Sequence, residues 1–184
     1  MDNRSNRFVF VPFCLMAQAY QAQGIVKYEW KSSIKPFMDL LLENDINIIQ
    51  MPCAEAEFNN NLIREPKGIG KYDTSEFNEL CEQLACKVAK QIKSILESKY
   101  IIVAILGIEQ SPSCCVNYIY TNKGMENRKG LFMEKLYEKI EKYNIPIIGI
   151  NRKYIKKSLS QLESLIGWIK ELFLLSKWGG IKWN

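Results

Sequence analysis

The sequence predicts a small doubly wound α/β domain, Rossmann- or flavodoxin-like, with helices on both faces of a parallel sheet of about four strands. Four short apolar runs are continuous rather than alternating, which is typical of strands that are buried on both faces. Segments with helical spacing separate these runs, and strands that alternate with helices favour a parallel sheet. The 184 residues, 47% of them apolar, suit one such domain with a sizeable core, so we expect a single domain over residues 1–184.

The four apolar runs are the predicted strands, and they span residues 8–13, 46–51, 100–106 and 145–150. After each of them comes a segment with an apolar residue every three or four positions, as in an amphipathic helix. These predicted helices span residues 34–43, 74–99, 130–143 and 158–175. Thr74 or Ser75 can cap the longest of them. We expect the last helix, which carries Trp168, and the tail after it to pack on the domain or on a partner subunit.

Three connections are longer than a minimal α/β unit needs, and they span residues 15–33, 54–73 and 108–129. Long irregular loops in compact domains are usually functional or mobile. All three follow the carboxyl end of a predicted strand, where open α/β sheets bind ligands. We therefore expect a site at this edge, covered by the first two of these loops.

The composition excludes several classes of protein. The chain has no histidine, which excludes Ser-His-Asp and Cys-His catalysis, histidine-liganded zinc sites and HExxH proteases. No apolar run approaches the roughly 18 residues of a membrane span, and the start lacks a signal-peptide cleavage site. We therefore expect a cytoplasmic protein with no membrane partner. Residues 123–184 hold 13 basic and 6 acidic residues, a small excess that predicts a solvated face rather than a nucleic-acid partner.

Three of the six cysteines lie at the ends of successive predicted strands. Cys14 follows the first strand, Cys53 the second and Cys114 the third. Neighbouring parallel strands stand about 4.8 Å apart, so these thiols can converge at one edge of the sheet. Cys115 is an alternative to Cys114 as the third member. The other two cysteines fall inside the longest helix, where free cysteine is usually a small buried packing residue, and they are Cys81 and Cys86.

Three converging thiolates leave two kinds of metal site open. Structural zinc takes four ligands, and no histidine is available as the fourth. Iron–sulfur clusters are held by cysteine thiolates, usually four. With only three protein ligands, a cubane cluster keeps one iron open, and an open metal position is typical of catalytic sites. Spacing alone does not choose between these metals.

The segments MPCAE at residues 51–55 and SPSC at residues 111–114, together with Cys14, resemble the bacterial 2-thiouracil desulfidase family. That family has a cysteine after its first strand, then Cys-Pro-Glu, then Ser-Pro-Ser-Cys-Gly. The resemblance spans roughly residues 8–150 and indicates a related branch of iron–sulfur desulfidases. Three features depart from the pattern: Ala54 stands in place of the proline, Cys115 stands in place of the glycine, and the residues around Cys14 differ from the family's usual run of small residues.

The resemblance implies a 4Fe–4S cluster held by Cys14, Cys53 and Cys114, with one open iron that binds the sulfur of a small thiolated (thiocarbonyl) substrate. It also implies a non-redox hydrolase in which Glu55 and Ser113 are the catalytic residues. Without histidine a carboxylate is the natural general base, provided that burial raises its pKa toward neutrality. Glu55 is the first choice for that base, and Glu57 and Glu109 are weaker ones.

Other hypotheses remain open. The alternative to a desulfidase is a non-catalytic iron–sulfur protein that carries electrons or senses redox state. A structural zinc protein or a metal-free interaction domain is a third class, and a homodimer is compatible with all three. The glycine-containing segment 67–71 lacks the spacing of a phosphate-binding loop. Five aromatic residues are candidates to stack on a planar heterocycle, and they are Tyr20, Tyr28, Trp30, Tyr72 and Tyr118.

Overall fold

The structure is a computed structural model that describes residues 3–121 and 123–177, with side chains as far as Glu171. In chain order its strands and α-helices are β1 (Arg7–Pro12), α1 (Phe13–Met16), α2 (Lys35–Glu43), β2 (Asn47–Met51), α3 (Ala54–Asn59), α4 (Ser75–Glu97), β3 (Ile101–Ile108), β4 (Tyr118–Thr121), β5 (Gly124–Asn127), α5 (Leu131–Ile140), β6 (Ile147–Ile150) and α6 (Ile155–Lys177).

A parallel sheet of four strands forms the centre of the molecule, in the order β2-β1-β3-β6. The chain runs from β1 outward to β2 and then returns to the other side of β1 to form β3. Because parallel crossovers are right-handed, this reversal places α2 and α4 on opposite faces of the sheet. Helix α5 packs against α4, and α6 packs against α2, so each face is covered by two helices. The predicted α/β fold class is confirmed.

The core lies between the sheet and these two helical layers. The inner residues of β1 and β3 are buried on both faces, which explains why their sequences read as continuous apolar runs. Helix α2 contributes Phe37 and Leu41, while α4 contributes one stripe that includes Phe77 and Ile92. The start of α4 is capped as predicted, since the Thr74 hydroxyl accepts a hydrogen bond of 3.2 Å from the backbone amide of Phe77.

The predicted carboxyl ends of the first and third strands were wrong. Phe13 was expected to end the first strand, but it begins α1, because Pro12 has no amide hydrogen for a strand ladder. The third strand continues past its predicted end at residue 106 to Ile108. The pairing of β3 with β1 ends at Ile105, but the last three residues of β3 pair with β6 and so remain in the sheet.

A short helix and a two-stranded hairpin lie inside segments that were predicted as irregular loops. The short helix α3 opens segment 54–73, and strands β4 and β5 form an antiparallel hairpin inside segment 108–129. Each strand of the hairpin has only four residues, and Ile119 of β4 is the buried apolar residue of the pair. The sequence therefore carries too little alternation of apolar and polar residues to indicate a strand.

Helix α6 is longer than predicted, and it packs on β3 and β6. The tail at residues 178–184, which was expected to dock beside it, lies outside the described residues. Among residues 3–121 and 123–177, none of the helices combines the length and apolar character that crossing a bilayer requires.

Gly130, just before α5, lies against the turn that carries Cys114, and an alanine there should lower stability. An added Cβ would stand 2.5 Å from the carbonyl carbon and oxygen of Ser113 and 2.8 Å from the Cys115 amide nitrogen. These are backbone atoms, so the turn itself must shift. We expect Gly130→Ala to lower the free energy of unfolding by about 1–3 kcal/mol, measured by urea denaturation.

The matched control is Gly167→Ala within α6, where an added Cβ would meet nothing within 4 Å. Alanine is the better helix former, so this variant should gain up to about 1 kcal/mol. Equal stability of the two variants would contradict the close approach at Gly130.

Candidate functional site

A cavity of about 290 Å³ lies beyond the carboxyl ends of the parallel strands. Its wall takes residues from the segments after all four strands, as expected at the switch point of an open α/β sheet. Segment 15–33 contributes Tyr20 and Gln21, and segment 54–73 contributes Arg64 and Gly68. The prediction that these two loops cover the site is confirmed.

Three thiols line this cavity, and each comes from a different strand exit. Cys14 lies in the first turn of α1, Cys53 caps the start of α3, and Cys114 lies in the turn after β3. A proline precedes each thiol by one or two residues, and these prolines are Pro12, Pro52 and Pro112. Proline has no backbone amide hydrogen, so it does not continue a strand ladder. The structure therefore brings together the three cysteines that the strand ends predicted.

Cys115 does not line the cavity, although it is adjacent to Cys114. Its thiol lies 2.7 Å from the backbone carbonyl oxygen of Tyr118, to which it donates, and 3.3 Å from a carboxylate oxygen of Glu109. The same Glu109 carboxylate accepts hydrogen bonds from the Asn117 amide, the Asn117 side chain and the Tyr118 amide. Cys115 and Glu109 are thus buried parts of the turn, and the thiol that this turn presents to the cavity is that of Cys114.

Burial raises the pKa of all three thiols, and neighbouring thiols add to this at Cys14 and Cys114. Burial, followed by the charge of Cys53, raises the pKa of Cys14 to about 12. Burial, then Cys53 and Cys14, raise the pKa of Cys114 well above its usual value. Burial and the neighbouring carboxylate of Glu55 raise the pKa of Cys53. Three thiolates can therefore coexist here only beside added positive charge, and a bound metal supplies such charge.

Glu55, in the first turn of α3, connects the second strand exit to the third. Its Oε1 accepts a hydrogen bond of 2.9 Å from the hydroxyl of Ser111 and another of 2.9 Å from the hydroxyl of Ser113. The Ser113 hydroxyl also lies 3.5 Å from the sulfur of Cys114. Both predicted catalytic residues line the cavity and are directly hydrogen-bonded to each other.

Arg64 brings a buried positive charge to the same group. Its Nε lies 3.7 Å from Oε2 of Glu55, and its Nη2 lies 3.6 Å from the sulfur of Cys53. Nη2 also donates a hydrogen bond of 2.6 Å to the backbone carbonyl of Tyr20, which ties the second loop to the first. The guanidinium lowers the pKa of Cys14 and Cys53 and so partly offsets their burial.

Most of the other carboxylates, cysteines and aromatic residues considered in the sequence lie away from the cavity. Glu57 is exposed on α3, and Glu109 holds the turn described above. Cys81 is fully buried in the core, as expected, whereas Cys86 is half-buried on α4 beside Glu82. Tyr20 lines the cavity and stacks on the ring of Phe13, but four of the aromatic candidates do not line it, namely Tyr28, Trp30, Tyr72 and Tyr118.

Sequence reasoning missed several cavity residues. Arg152 follows the last strand, so the rule that identified the thiols would also have indicated this residue. Ser111 belongs to the Ser-Pro-Ser-Cys motif that had already been noted. Lys67 and Gly68 line the cavity, although their segment had been given little weight. Arg64 and Gln21 come from irregular loops, and nothing in their sequence indicated where they would lie.

The donor set fits a thiolate-bound cluster. Three thiols surround one cavity, arginine charges lie beside them, and no histidine is needed. Within the described ranges, no group of three or more cysteine, aspartate or glutamate side chains is arranged to hold a single metal ion. The fit therefore lies in the kind of donor and in the placement of all three thiols along one cavity wall.

Comparisons with known proteins give few matches. No protein-family model matches the chain. The uncharacterized protein MJ0003 of Methanocaldococcus jannaschii is 29% identical over 167 residues, which cover 89% of this chain and 99% of that protein. A solved structure of the 4Fe–4S-dependent thiouracil desulfidase TudS overlaps with 88% of this chain and 99% of that one, at 17% identity and a TM-score of 0.47. At that similarity no residue role is transferred from it.

The raised thiol pKa values predict that the metal-free protein loses stability at alkaline pH. In the unfolded chain a thiol ionises near its ordinary pKa of about 8.5, whereas folded Cys14 keeps its proton up to about 12. Its contribution is therefore complete below about pH 8.5 and is lost as pH rises through the window up to 12. Each thiol contributes up to about 1.4 kcal/mol per pH unit there.

Urea unfolding of the chelator-treated protein at pH 8, 9, 10 and 11 measures this loss. Lysine and tyrosine also titrate in this range, so the informative quantity is the difference between wild type and Cys14→Ser. The variant should show the shallower fall with pH, and parallel curves would show that the folded thiol ionises freely.

Proposed function

We propose that this protein is an iron–sulfur-dependent desulfidase that hydrolyses the C=S bond of a small thiolated compound. The reaction converts a thiocarbonyl and water into a carbonyl and hydrosulfide, with no net oxidation or reduction. The single observation that carries the proposal is the cavity in which Cys14, Cys53 and Cys114 lie together with Glu55 and Ser113. The motif resemblance noted in the sequence supports the same reaction.

In this proposal the three cysteines hold a 4Fe–4S cluster, and one iron has no protein ligand. An open iron is a Lewis acid that binds a soft sulfur atom and polarises C=S. The three thiols must lose their protons when they bind iron. Burial and the neighbouring thiols oppose that loss, so it depends on the positive charge of the incoming metal.

Glu55 acts on the water in this proposal. Its carboxylate lies on the cavity wall and already accepts hydrogen bonds from two hydroxyl groups, so it can accept the proton of a water that attacks the thiocarbonyl carbon. Ser113 stands between Glu55 and the sulfur of Cys114, so its hydroxyl can donate to the substrate sulfur and relay to it the proton that Glu55 takes from the water. Arg64, whose Nε lies 3.7 Å from Oε2 of Glu55, holds the carboxylate in position.

The ligand assignment predicts which cysteines the cluster needs. After anaerobic reconstitution with iron and sulfide, alanine variants of Cys14, Cys53 and Cys114 should lose the iron, the acid-labile sulfide and the visible absorption of the cluster. The Cys115→Ala variant should keep them, because its thiol faces Tyr118 rather than the cavity. Loss of the cluster in Cys115→Ala with retention in Cys114→Ala would reassign the third ligand. Cys81→Ala controls for the loss of a buried thiol.

The role of Glu55 predicts a loss of turnover without a loss of cluster. Glu55→Gln keeps an oxygen that can accept from the serine hydroxyls but removes the proton acceptor, so the rate of sulfide release should fall by about 100-fold or more. The control is Glu57→Gln, two residues further along the same helix and exposed, which should be near wild type. The measurement is anaerobic sulfide release from 2-thiouracil and related thioamides, beside iron content.

The same assay separates the desulfidase from a non-catalytic iron–sulfur protein. An electron carrier or redox sensor would reduce and reoxidise its cluster, release no sulfide from any thioamide, and show no change in its absorption spectrum when hydrosulfide is added. That result for the fully loaded wild-type protein would reject the desulfidase.

A further inference from the structure

Two buried side chains of the cavity wall carry hydrogen-bond donors that have no acceptor. Gln21 exposes 9% of its surface and Arg64 exposes 7%. In the described structure Nε2 of Gln21 and Nε of Arg64 have no hydrogen-bond partner. A buried donor without a partner costs free energy comparable to a lost hydrogen bond, and native proteins contain few of them. Nε of Arg64 lies 3.7 Å from Oε2 of Glu55, whereas Nε2 of Gln21 is left for an acceptor inside the cavity.

Arg152 fixes the orientation of the Gln21 amide. One nitrogen of its guanidinium donates to Oε1 of Gln21. A guanidinium can only donate, so the amide must place its oxygen at Arg152 and leave its nitrogen as the free end. The unpaired Nε2 of Gln21 is therefore a hydrogen-bond donor that lies beside the positively charged Arg152.

Arg152 also carries the cavity's unmatched charge. The charge of Arg64 is shared with Glu55, and Lys67 forms an ion pair of 2.7 Å with Glu65. Across residues 3–121 and 123–177, no carboxylate lies within ion-pair distance of Arg152. Burial lowers its pKa, and the nearby Cys14 and Glu55 act in the opposite direction. A guanidinium keeps its proton in proteins even when it is buried, so Arg152 remains positively charged.

We infer that Arg152 and Gln21 form a subsite for an anionic group of the substrate, so that the compound desulfurised is a thiocarbonyl that also bears a carboxylate. This inference rests on the proposed function and adds the class of substrate to it. A carboxylate offers a flat pair of acceptors, which matches the guanidinium fork of Arg152 and leaves a further lone pair for the Gln21 amide. The cavity of about 290 Å³ limits such a substrate to a small molecule.

A competing role for Arg152 is to offset the negative charge of the Cys14 thiolate. That role concerns the cluster alone and makes no distinction between neutral and anionic substrates. Cluster content and substrate discrimination therefore separate the two roles.

The experiment uses matched probes that differ in a carboxylate. The first measurement is equilibrium binding of uracil, uracil-5-carboxylate and uracil-6-carboxylate to the reconstituted protein by calorimetry. The second is sulfide release from the three corresponding 2-thiouracils. At least one carboxylate isomer should bind about 10-fold or more tightly than the neutral compound, and its 2-thio form should show the higher kcat/KM.

Arg152→Gln and Gln21→Leu should remove this advantage by raising the KM of the carboxylate compound to that of neutral 2-thiouracil, with the iron content retained. Lys153→Gln, the exposed neighbour, is the control and should keep the advantage. If Arg152→Gln instead loses iron, or if neutral and anionic probes bind equally in the wild type, the subsite is wrong.

The two proposals fail in different ways. Sulfide release at equal kcat/KM from all three 2-thiouracils keeps the desulfidase and rejects the anion subsite. Absence of sulfide release from every probe, with a uracil carboxylate still bound in a manner that depends on Arg152, rejects the desulfidase and keeps the subsite as a carboxylate site.

Discussion

The half-buried carboxylate of Glu55 is the group on whose interactions the arrangement of the site depends. It accepts from Ser111 and Ser113 on the third strand exit and pairs with Arg64 in the second loop. Arg64 in turn donates to the carbonyl of Tyr20 in the first loop. Polar contacts are strong in such a poorly hydrated place, and an unpaired member there is costly, so the three loops form one unit rather than three separate segments.

This unit exists because of the strand order. β1 lies between β2 and β3, so the exits of these three strands are neighbours at one edge of the sheet. A thiol placed just after each strand must then share a cavity with the other two, and none of them can ionise without affecting its neighbours. Burial raises the pKa of each thiol, and the nearness of the other thiols adds to this at Cys14 and Cys114; both effects make the site favourable for a cationic group. Stability at neutral pH and readiness for metal thus have one physical origin.

The parts of this arrangement that follow from local rules were predictable from the sequence. Buried parallel strands are continuous apolar runs, so the sheet was predicted, and the cysteines were placed by the strand ends. Phe13 was misassigned because an apolar residue beside a strand looks the same whether it continues the strand or starts a helix. Arg64 and Gln21 reach the cavity through long loops whose course depends on tertiary contacts, and local sequence carries no signal for such contacts.

The adjacent residues Cys114 and Cys115 have different structural roles: the first lines the cavity, and the second packs inside the turn. In the resembling family a glycine stands at the second position, but Cys115 is not among the residues with positive φ, so its backbone does not require glycine. Its side chain is fully buried and donates to the Tyr118 carbonyl beside Glu109. A small polarisable residue with one donor satisfies this place, where a larger side chain would displace Glu109. Cys115 therefore keeps the turn closed, and by doing so it keeps the neighbouring thiol of Cys114 directed to the cavity.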